Sequence, residues 1–589
     1  MPSFTVLYEA SFLQRVESMR YHALACDYDG TLAHRGRVDD GTLAALERVR
    51  SSGRKLLLVS GRELDDLARV FPRLDLFDRL VLENGAVVVD PNSRNVRTLA
   101  EPPPPAFVQA LEARGVGPIS TGHVIVATWE PHERAVLDVI RDLGLELQVI
   151  FNKGAVMVLP SGVNKASGLS SALIELGLSA HNVVGVGDAE NDHAFLAACE
   201  CGVAVANALP MLKERADWVA PGDHGLGVQS LVDALVDGDL AGVPTAGRHA
   251  LVLGKEASGA ELRLPPHTAP VLIAGTSGAG KSTLATALLE QLADHEYQFC
   301  VIDPEGDYSE LEGVAVLGDA KRTPPPSEIL EVLAKPGESV VANLVGTPLA
   351  DRPALFLALF AKLLEHRART GRPHWIVLDE THHLLPQTLE ASTLLLPRDP
   401  TGLLLLTVHP EKIARELLET VGTVIAIGAS PRETVESFTK SIGVDAPHVP
   451  AEPLAAGHAL AWLRADASDR GMIAFEASPS TGEHHRHLRK YATGDLGEDR
   501  SFYFRGPKGR LKLRAQNLEV FLQMAEGVDD ETWRFHLESG DIARWFRENI
   551  KDAGLAEAAE VVQKTQSLAA ADSRGQIREA IEKRYTAPA

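Results

Sequence analysis

Cysteine is scarce in this chain. Its 589 residues include four, Cys26, Cys199, Cys201 and Cys300. None falls in a Cys-x-x-Cys pair, so neither a disulfide framework nor a zinc knuckle is indicated. Cys199 and Cys201 read as small core residues rather than a ligand pair. Long apolar runs are also lacking. Leu403–Val408 is far too short to cross a membrane. The amino terminus has no basic segment leading into an apolar stretch of the secretory kind, so a cytoplasmic protein without membrane contact is expected. Positive charge is in deficit, with 58 Lys and Arg against 80 Asp and Glu and a formal net charge of −22. A broad nucleic-acid surface needs clustered cations to neutralise phosphates. At most a local basic channel inside an oligomer remains. No repeat of fixed period is found. What is present is a globular composition, 45% hydrophobic and 23% charged, with length for roughly three to five domains.

The stretch Val271 to Thr283 organises the reading. An apolar run, Val271-Leu272-Ile273, breaks into Gly275-Thr276-Ser277-Gly278-Ala279-Gly280-Lys281-Ser282-Thr283, and a helical pattern of Leu284, Leu288 and Leu292 follows. Gly-x4-Gly-Lys-Ser between a strand and a helix is a phosphate-binding loop. Its glycines let backbone N–H groups turn toward an anion, and the helix N-terminus adds a positive dipole end. Lys281 reaches β- and γ-phosphates, and the Ser282 hydroxyl completes a Mg²⁺ shell. ATP is the expected ligand.

A second phosphate-handling pattern occupies the first 236 residues. The apolar run His22–Cys26 ends in Asp27-Tyr28-Asp29-Gly30-Thr31. Two carboxylates at a strand end sit where open α/β sheets bind ligands. One can attack phosphorus while the other handles protons. Alone, the phrase could equally be a turn or a calcium loop. It has company: Lys55–Val59 ends in Ser60-Gly61-Arg62, Gly162-Val163-Asn164-Lys165 opens a helix, and Val183–Gly187 leads into Asp188-Ala189-Glu190-Asn191-Asp192. These supply a hydroxyl for a phosphoryl oxygen, a cation for developing charge, and carboxylates suited to Mg²⁺.

This ordered set resembles the haloacid dehalogenase superfamily of phosphatases. The resemblance implies that Asp27 is the nucleophile, forming an aspartyl-phosphate. It makes Asp29 the general acid/base, with its backbone carbonyl on Mg²⁺. Ser60 and Lys165 would hold the phosphoryl group, Asp188 would ligate Mg²⁺, and Asp192 would support the metal. The insert at about 86–160 would be a mobile α/β cap over a small substrate. Glu83-Asn84-Gly85-Ala86, Asn164-Lys165-Ala166-Ser167-Gly168-Leu169 and Ala216-Asp217-Trp218-Val219-Ala220 look like the Cof-type, sugar-phosphatase branch.

Asp237–Gly247 reads as a linker. Beyond it, residues 248–478 alternate strands with helical segments, implying a parallel sheet covered on both faces. Trp375-Ile376-Val377-Leu378-Asp379-Glu380 has the Walker B form. Asp379 can hold Mg²⁺ through water, and Glu380 can polarise an attacking water, which favours hydrolysis over transfer. Leu253-Gly254-Lys255, Ile302-Asp303-Pro304-Glu305-Gly306-Asp307-Tyr308 and Asp379-Glu380-Thr381-His382-His383 look like the HerA/FtsK ATPases. That resemblance implies a RecA-like module, commonly hexameric, with nucleotide between subunits. The sensor strand departs from it, with Thr407-Val408-His409 where those motors often carry Gln. His409 reads as a γ-phosphate sensor or a surface histidine. Arg398, Arg415 and Arg432 are the candidates for an arginine finger.

Residues 479–589 carry a basic run, Glu483–Lys490, in which His484, His485 and His487 lack a partner at metal-ligand spacing. A solvated hinge or anion-contacting face is the expectation. Amphipathic helices follow, whose aromatics Trp533, Phe535, Trp545 and Phe546 read as core, in an interaction or regulatory module.

The expected fold is multidomain α/β. A Rossmann-like capped phosphatase (1–236) precedes a RecA-like P-loop ATPase (248–478) and a small, mostly helical α+β tail (479–589). The expected function is a Mg²⁺-dependent two-headed hydrolase, with a phosphatase for a sugar phosphate or similar phosphomonoester and an ATP-hydrolysing module. Two alternatives stand beside it. One is a nucleic-acid-processing motor, a homo-oligomer such as a hexamer, whose phosphatase acts on nucleotides or polynucleotide ends. The other is a nucleotide-switched assembly module.

Overall fold

A computed structural model describes residues 19–585, except 153, 244–246, 390–395, 398–399, 451–453, 465–470, 481–495, 497–499, 508, 510, 551 and 566–567. Arg398 and the histidines at 484, 485 and 487 lie outside the described residues. The chain divides into two compact units, Met1–Ser478 and Pro479–Ala589.

The first unit begins with an eight-stranded sheet in the order Trp218–Val219, Cys201–Ala204, Val183–Gly187, Ala23–Asp27, Lys55–Val59, Arg79–Leu82, Val87–Asp90, Asn95–Thr98. The first six strands run parallel, and the last two are added through antiparallel pairings. Ala23–Asp27, Val183–Gly187 and most of Lys55–Val59 are buried, as parallel strands covered on both faces must be, hence their unbroken apolar runs. Register does the rest. Cys26 lies opposite Val186 and Asp27 opposite Val59, so three motif-bearing strand ends converge.

Residues 87–98, at the start of the segment read as a cap, extend this sheet. A separate four-stranded antiparallel sheet is built from Ser120–Thr121, Val126–Trp129, Ala155–Pro160 and Leu147–Asn152, with helices Pro105–Ala113 and Glu133–Leu143. Its strand Leu147–Asn152 packs against the turn Glu190–Asp192.

An eleven-stranded sheet follows. Its parallel part runs Thr423–Ile427, Val271–Gly275, Leu403–Thr407, Trp375–Leu378, Phe299–Asp303, Val340–Asn343, Ala315–Leu317, and an antiparallel wing begins with His458–Leu463 and includes Leu251–Glu256. The segment read as a linker is partly anchored. Asp239 caps the helix Gly225–Gly238 and accepts from the Arg20 backbone N–H at 2.5 Å and from Arg54 at 2.9 Å.

The two sheets of this unit meet at a polar junction. His374 Nε2 lies 3.2 Å from Asn182 Oδ1, and the Arg372 guanidinium donates to the Gly177 carbonyl at 2.6 Å. His181 Nε2 sits 2.6 Å from the carbonyl of His295, the residue capping the helix Lys281–Asp294.

The second unit, described by itself, pairs Phe502–Phe504 with Leu513–Ala515 and, among the described residues, adds five helices between Leu518 and Tyr585. Trp533, Trp545 and Phe546 are buried in its core, as their helical spacing predicts, while Phe535 is 37% exposed.

Candidate functional sites

The phosphatase-type site is assembled from strand ends. Asp27, Ser60, Lys165, Asp188 and Asp192 are all buried. Lys165 Nζ donates to Asp27 Oδ1 and to Asp192 Oδ1, both at 2.6 Å. It occupies the first turn of the helix Lys165–Leu176, where an Asn164–Ser167 capping box satisfies the orphan N–H groups and fixes its origin. The other oxygen of Asp192 accepts from the backbone of Asp188 and Ala189 at 2.8 and 2.9 Å, so it shapes the loop presenting Asp188. Thr31 donates to Asp188 at 3.3 Å.

Ligand oxygens of Asp27, Asp188 and Asp192 lie within 4.8 Å of one another. Burial, then Asp192, pushes the Asp27 carboxyl above its ordinary range against the pull of Lys165. Three buried carboxylates around one ammonium leave negative charge over. An all-oxygen donor set with excess charge fits Mg²⁺.

Asp29 stands apart. Arg62 grips it with two parallel bonds, Nε to Oδ2 at 2.6 Å and a terminal nitrogen to Oδ1 at 2.8 Å, and also pairs with Asp66.

At the second site, Gly280 takes φ +102° at the N-terminus of Lys281–Asp294, a conformation glycine adopts without penalty. A Cβ on Gly275 would lie 2.0 Å from the Ile427 carbonyl, so only glycine fits where the loop leaves the sheet. Lys281 Nζ donates back to the carbonyls of Gly275 and Thr276 at 3.1 Å each. The strand ending in Thr407 lies between the loop strand and the one leading to Asp379. Burial raises the carboxyls of Asp379 and Glu380. Buried Asp379 with the Ser282 hydroxyl offers oxygen donors of the kind Mg²⁺ takes.

The Asp303 carboxylate accepts from the backbone of Gly306 and Asp307 at 2.7 and 3.1 Å and of Tyr308 at 2.9 Å. Asp303 therefore folds its own loop. The Thr407 hydroxyl lies 3.1 Å from His382 Nδ1 and accepts from the His409 backbone N–H at 2.9 Å. The His409 side chain is held by Glu411 at 3.0 Å. Arg415 and Arg432 pair with Glu419 and Glu436 on their own helices.

Comparison with known proteins follows this division. A family model of haloacid dehalogenase-like hydrolases matches residues 24–112 and 124–231. A phosphoglycolate phosphatase of Halobacterium salinarum is 30% identical over 226 residues, covering 36% of this chain and 96% of that protein. The chain belongs to the haloacid dehalogenase-like hydrolases. A phosphoglycolate phosphatase of Methanothermobacter thermautotrophicus is 29% identical over 220 residues, again 36% of this chain and 96% of that protein. A haloacid dehalogenase-like hydrolase structure from Bacteroides thetaiotaomicron aligns with 36% of this chain and 99% of its own, at TM-score 0.33 and 18% identity. An AAA ATPase domain model matches residues 263–408. With these two domains the chain is an enzyme, a phosphatase and an ATPase. Among the described residues no helix is long and apolar enough to cross a membrane.

Two features of this haloacid dehalogenase-like domain escaped the sequence reading. Glu83, at φ +52°, sends its carboxylate to the backbone N–H groups of His123, Val124 and Ile125 at 2.8–2.9 Å, pinning the entry to the four-stranded sheet. Asn84 accepts from Asn191 at 2.8 Å, joining that phrase to the carboxylate loop. The Glu-Asn-Gly phrase was visible, but partners 40 and 107 positions away were not.

Proposed function

We propose that the phosphatase hydrolyses a small phosphomonoester with Mg²⁺, and that it shares its chain with a RecA-like, HerA/FtsK-type ATPase. The domains would be 1–236, 248–478 and 479–589. The carrying observation is the four-stranded sheet lying directly against the carboxylate loop, over a buried nucleophile candidate. Such a lid suits a small substrate that is swallowed whole, rather than a polymer end.

In this reading Asp27 attacks phosphorus and becomes an acyl phosphate as the P–O bond to the leaving group breaks. Asp29, released from Arg62, donates a proton to the leaving oxygen and then takes one from the water that hydrolyses the acyl phosphate. Ser60 and Lys165 hold the phosphoryl oxygens as charge develops. Asp27, Asp188 and the Asp29 carbonyl would hold Mg²⁺, with Asp192 behind them. Bound there, Mg²⁺ offsets the repulsion between the Asp27 carboxylate and the phosphate.

At the second site the Gly275–Thr283 loop cradles ATP phosphates, Lys281 contacts the β- and γ-phosphates, Ser282 and Asp379 would hold Mg²⁺, and Glu380 orients water for hydrolysis. Support comes from the strand order and from Asp379 and Glu380 following the strand Trp375–Leu378 in turn.

The test is phosphate release with Mg²⁺ in a Lys281→Ala background, across 2-phosphoglycolate, sugar phosphates, nucleotides and oligonucleotides phosphorylated at either end. Release from a small phosphomonoester that Asp27→Asn lowers by ~10³-fold or more is expected. Release mainly from oligonucleotide ends would overturn the small-substrate reading.

A further inference from the structure

Away from both phosphate sites, the junction between the two sheets of the first unit gathers nitrogen donors. Ligand atoms of His181, Glu200 and His249 lie within 4.8 Å of one another. His181 and Glu200 belong to the phosphatase; His249 precedes the first strand of the ATPase sheet, Leu251–Glu256.

The surroundings resemble the outer shell of a metal centre. His181 Nε2 faces the His295 carbonyl at 2.6 Å, so that nitrogen carries a proton and Nδ1 turns inward. A ligating histidine is ordinarily oriented by such a bond to a backbone carbonyl. Glu200 is aimed by the Tyr297 hydroxyl at 2.6 Å and by Arg20 on its other oxygen. Two buried nitrogens, His249 Nε2 and His295 Nδ1, have no hydrogen-bond partner among the described residues. Buried polar atoms left unsatisfied call for an explanation, and an ion is one. Two imidazoles and a carboxylate are the donors zinc-class ions take, whereas Mg²⁺ takes oxygen.

We propose that His181, Glu200 and His249 bind a divalent transition-metal ion of the zinc class, clamping the phosphatase to the ATPase. The ring of His295 lies 6.5 Å from that of His249, outside the set. His181 Nδ1 lies 2.8 Å from the Glu200 carboxylate, so the two donors already face each other. Through the His295 carbonyl the site also touches the end of the helix that starts at Lys281.

The experiment uses the full chain with His484→Gln, His485→Gln and His487→Gln, so that the basic run adds no ligands. After chelator treatment, Zn²⁺ is titrated against a chromophoric competitor in excess Mg²⁺, and Co²⁺ is followed by visible absorption. One equivalent of Zn²⁺ is expected. His249→Gln should weaken it by at least ~100-fold, the upper end of what losing an outer-shell partner costs. Asp188→Asn should leave it bound. His249→Cys should restore binding and add a thiolate charge-transfer band to the Co²⁺ spectrum, a signature that misfolding would not produce. Equal affinity in His249→Gln, loss of Zn²⁺ in Asp188→Asn, or no Zn²⁺ binding in the presence of Mg²⁺ would each overturn the site. None of these readouts depends on turnover at either phosphate site.

Discussion

In chelator at pH 7, Glu200→Gln is expected to cost the first unit about 3 kcal/mol. Burial alone would raise the Glu200 carboxyl. The bond to His181, the charge of Arg20 and the Tyr297 hydroxyl outweigh it and hold the group at about 2, against an ordinary 4.5. At ~1.4 kcal/mol for each tenfold change in proton affinity, that depression is worth about 3 kcal/mol. Its sign follows from linkage. A carboxyl depressed by folding stabilises fully above its unfolded value and loses that contribution as pH falls through the folded one. The gap between wild type and variant should therefore be full at pH 7, shrink below pH 4.5 and vanish near pH 2. Glutamine keeps the shape but offers a single acceptor oxygen, so it keeps the bond from Arg20 or from Tyr297 and gives up the charge and the second acceptor together. Urea unfolding at several pH values measures the gap, and hydrogen exchange of residues 177–187 and 291–299 localises it to the junction. A gap under ~1 kcal/mol at pH 7, or one that persists unchanged at pH 2, would refute the account.

Other outcomes follow from the same geometry. Glu83→Ala leaves three backbone N–H groups without their carboxylate and should cost about 2–3 kcal/mol, with faster hydrogen exchange at residues 122–126 while ATP turnover is unchanged. Gly85→Ala places a Cβ 1.9 Å from the Asn164 carbonyl at φ +100°, so it should displace the cap of the Lys165 helix. About 2–4 kcal/mol and phosphatase turnover should be lost, read by thermal unfolding and phosphate release. Gly275→Ala meets the Ile427 carbonyl at 2.0 Å and should weaken nucleotide binding in a fluorescent-ATP titration while phosphatase turnover persists. Lys165→Met leaves Asp27 and Asp192 without their shared ammonium. It should abolish phosphatase turnover, and unfolding should show stability rising as pH is lowered and the Asp27 carboxyl, already raised by burial, protonates.

Both phosphate-handling patterns were legible in the chain because each is local. Gly275 to Thr283 and Asp27 to Thr31 are short phrases at the ends of apolar runs, and a parallel strand buried on both faces must be apolar throughout. Cys199 and Cys201 were legible as core residues; both are buried and free. Tertiary structure alone decided how these pieces combine. Sheet register brings Asp27, Ser60 and Asp188 to one edge although they are far apart in the chain, and Lys165 joins them only because a capped helix starts there. Residues 87–98 look like the rest of the insert, but pairing to Arg79–Leu82 makes them part of the core sheet. In the sequence Glu83 and Asp303 are single members of two short phrases; backbone N–H groups converge on their carboxylates only in the fold. The junction of His181, Glu200 and His249 has no spacing that a reader could recognise. Its donors meet because two sheets of the first unit pack together, and that packing depends on surfaces that no single stretch of sequence contains.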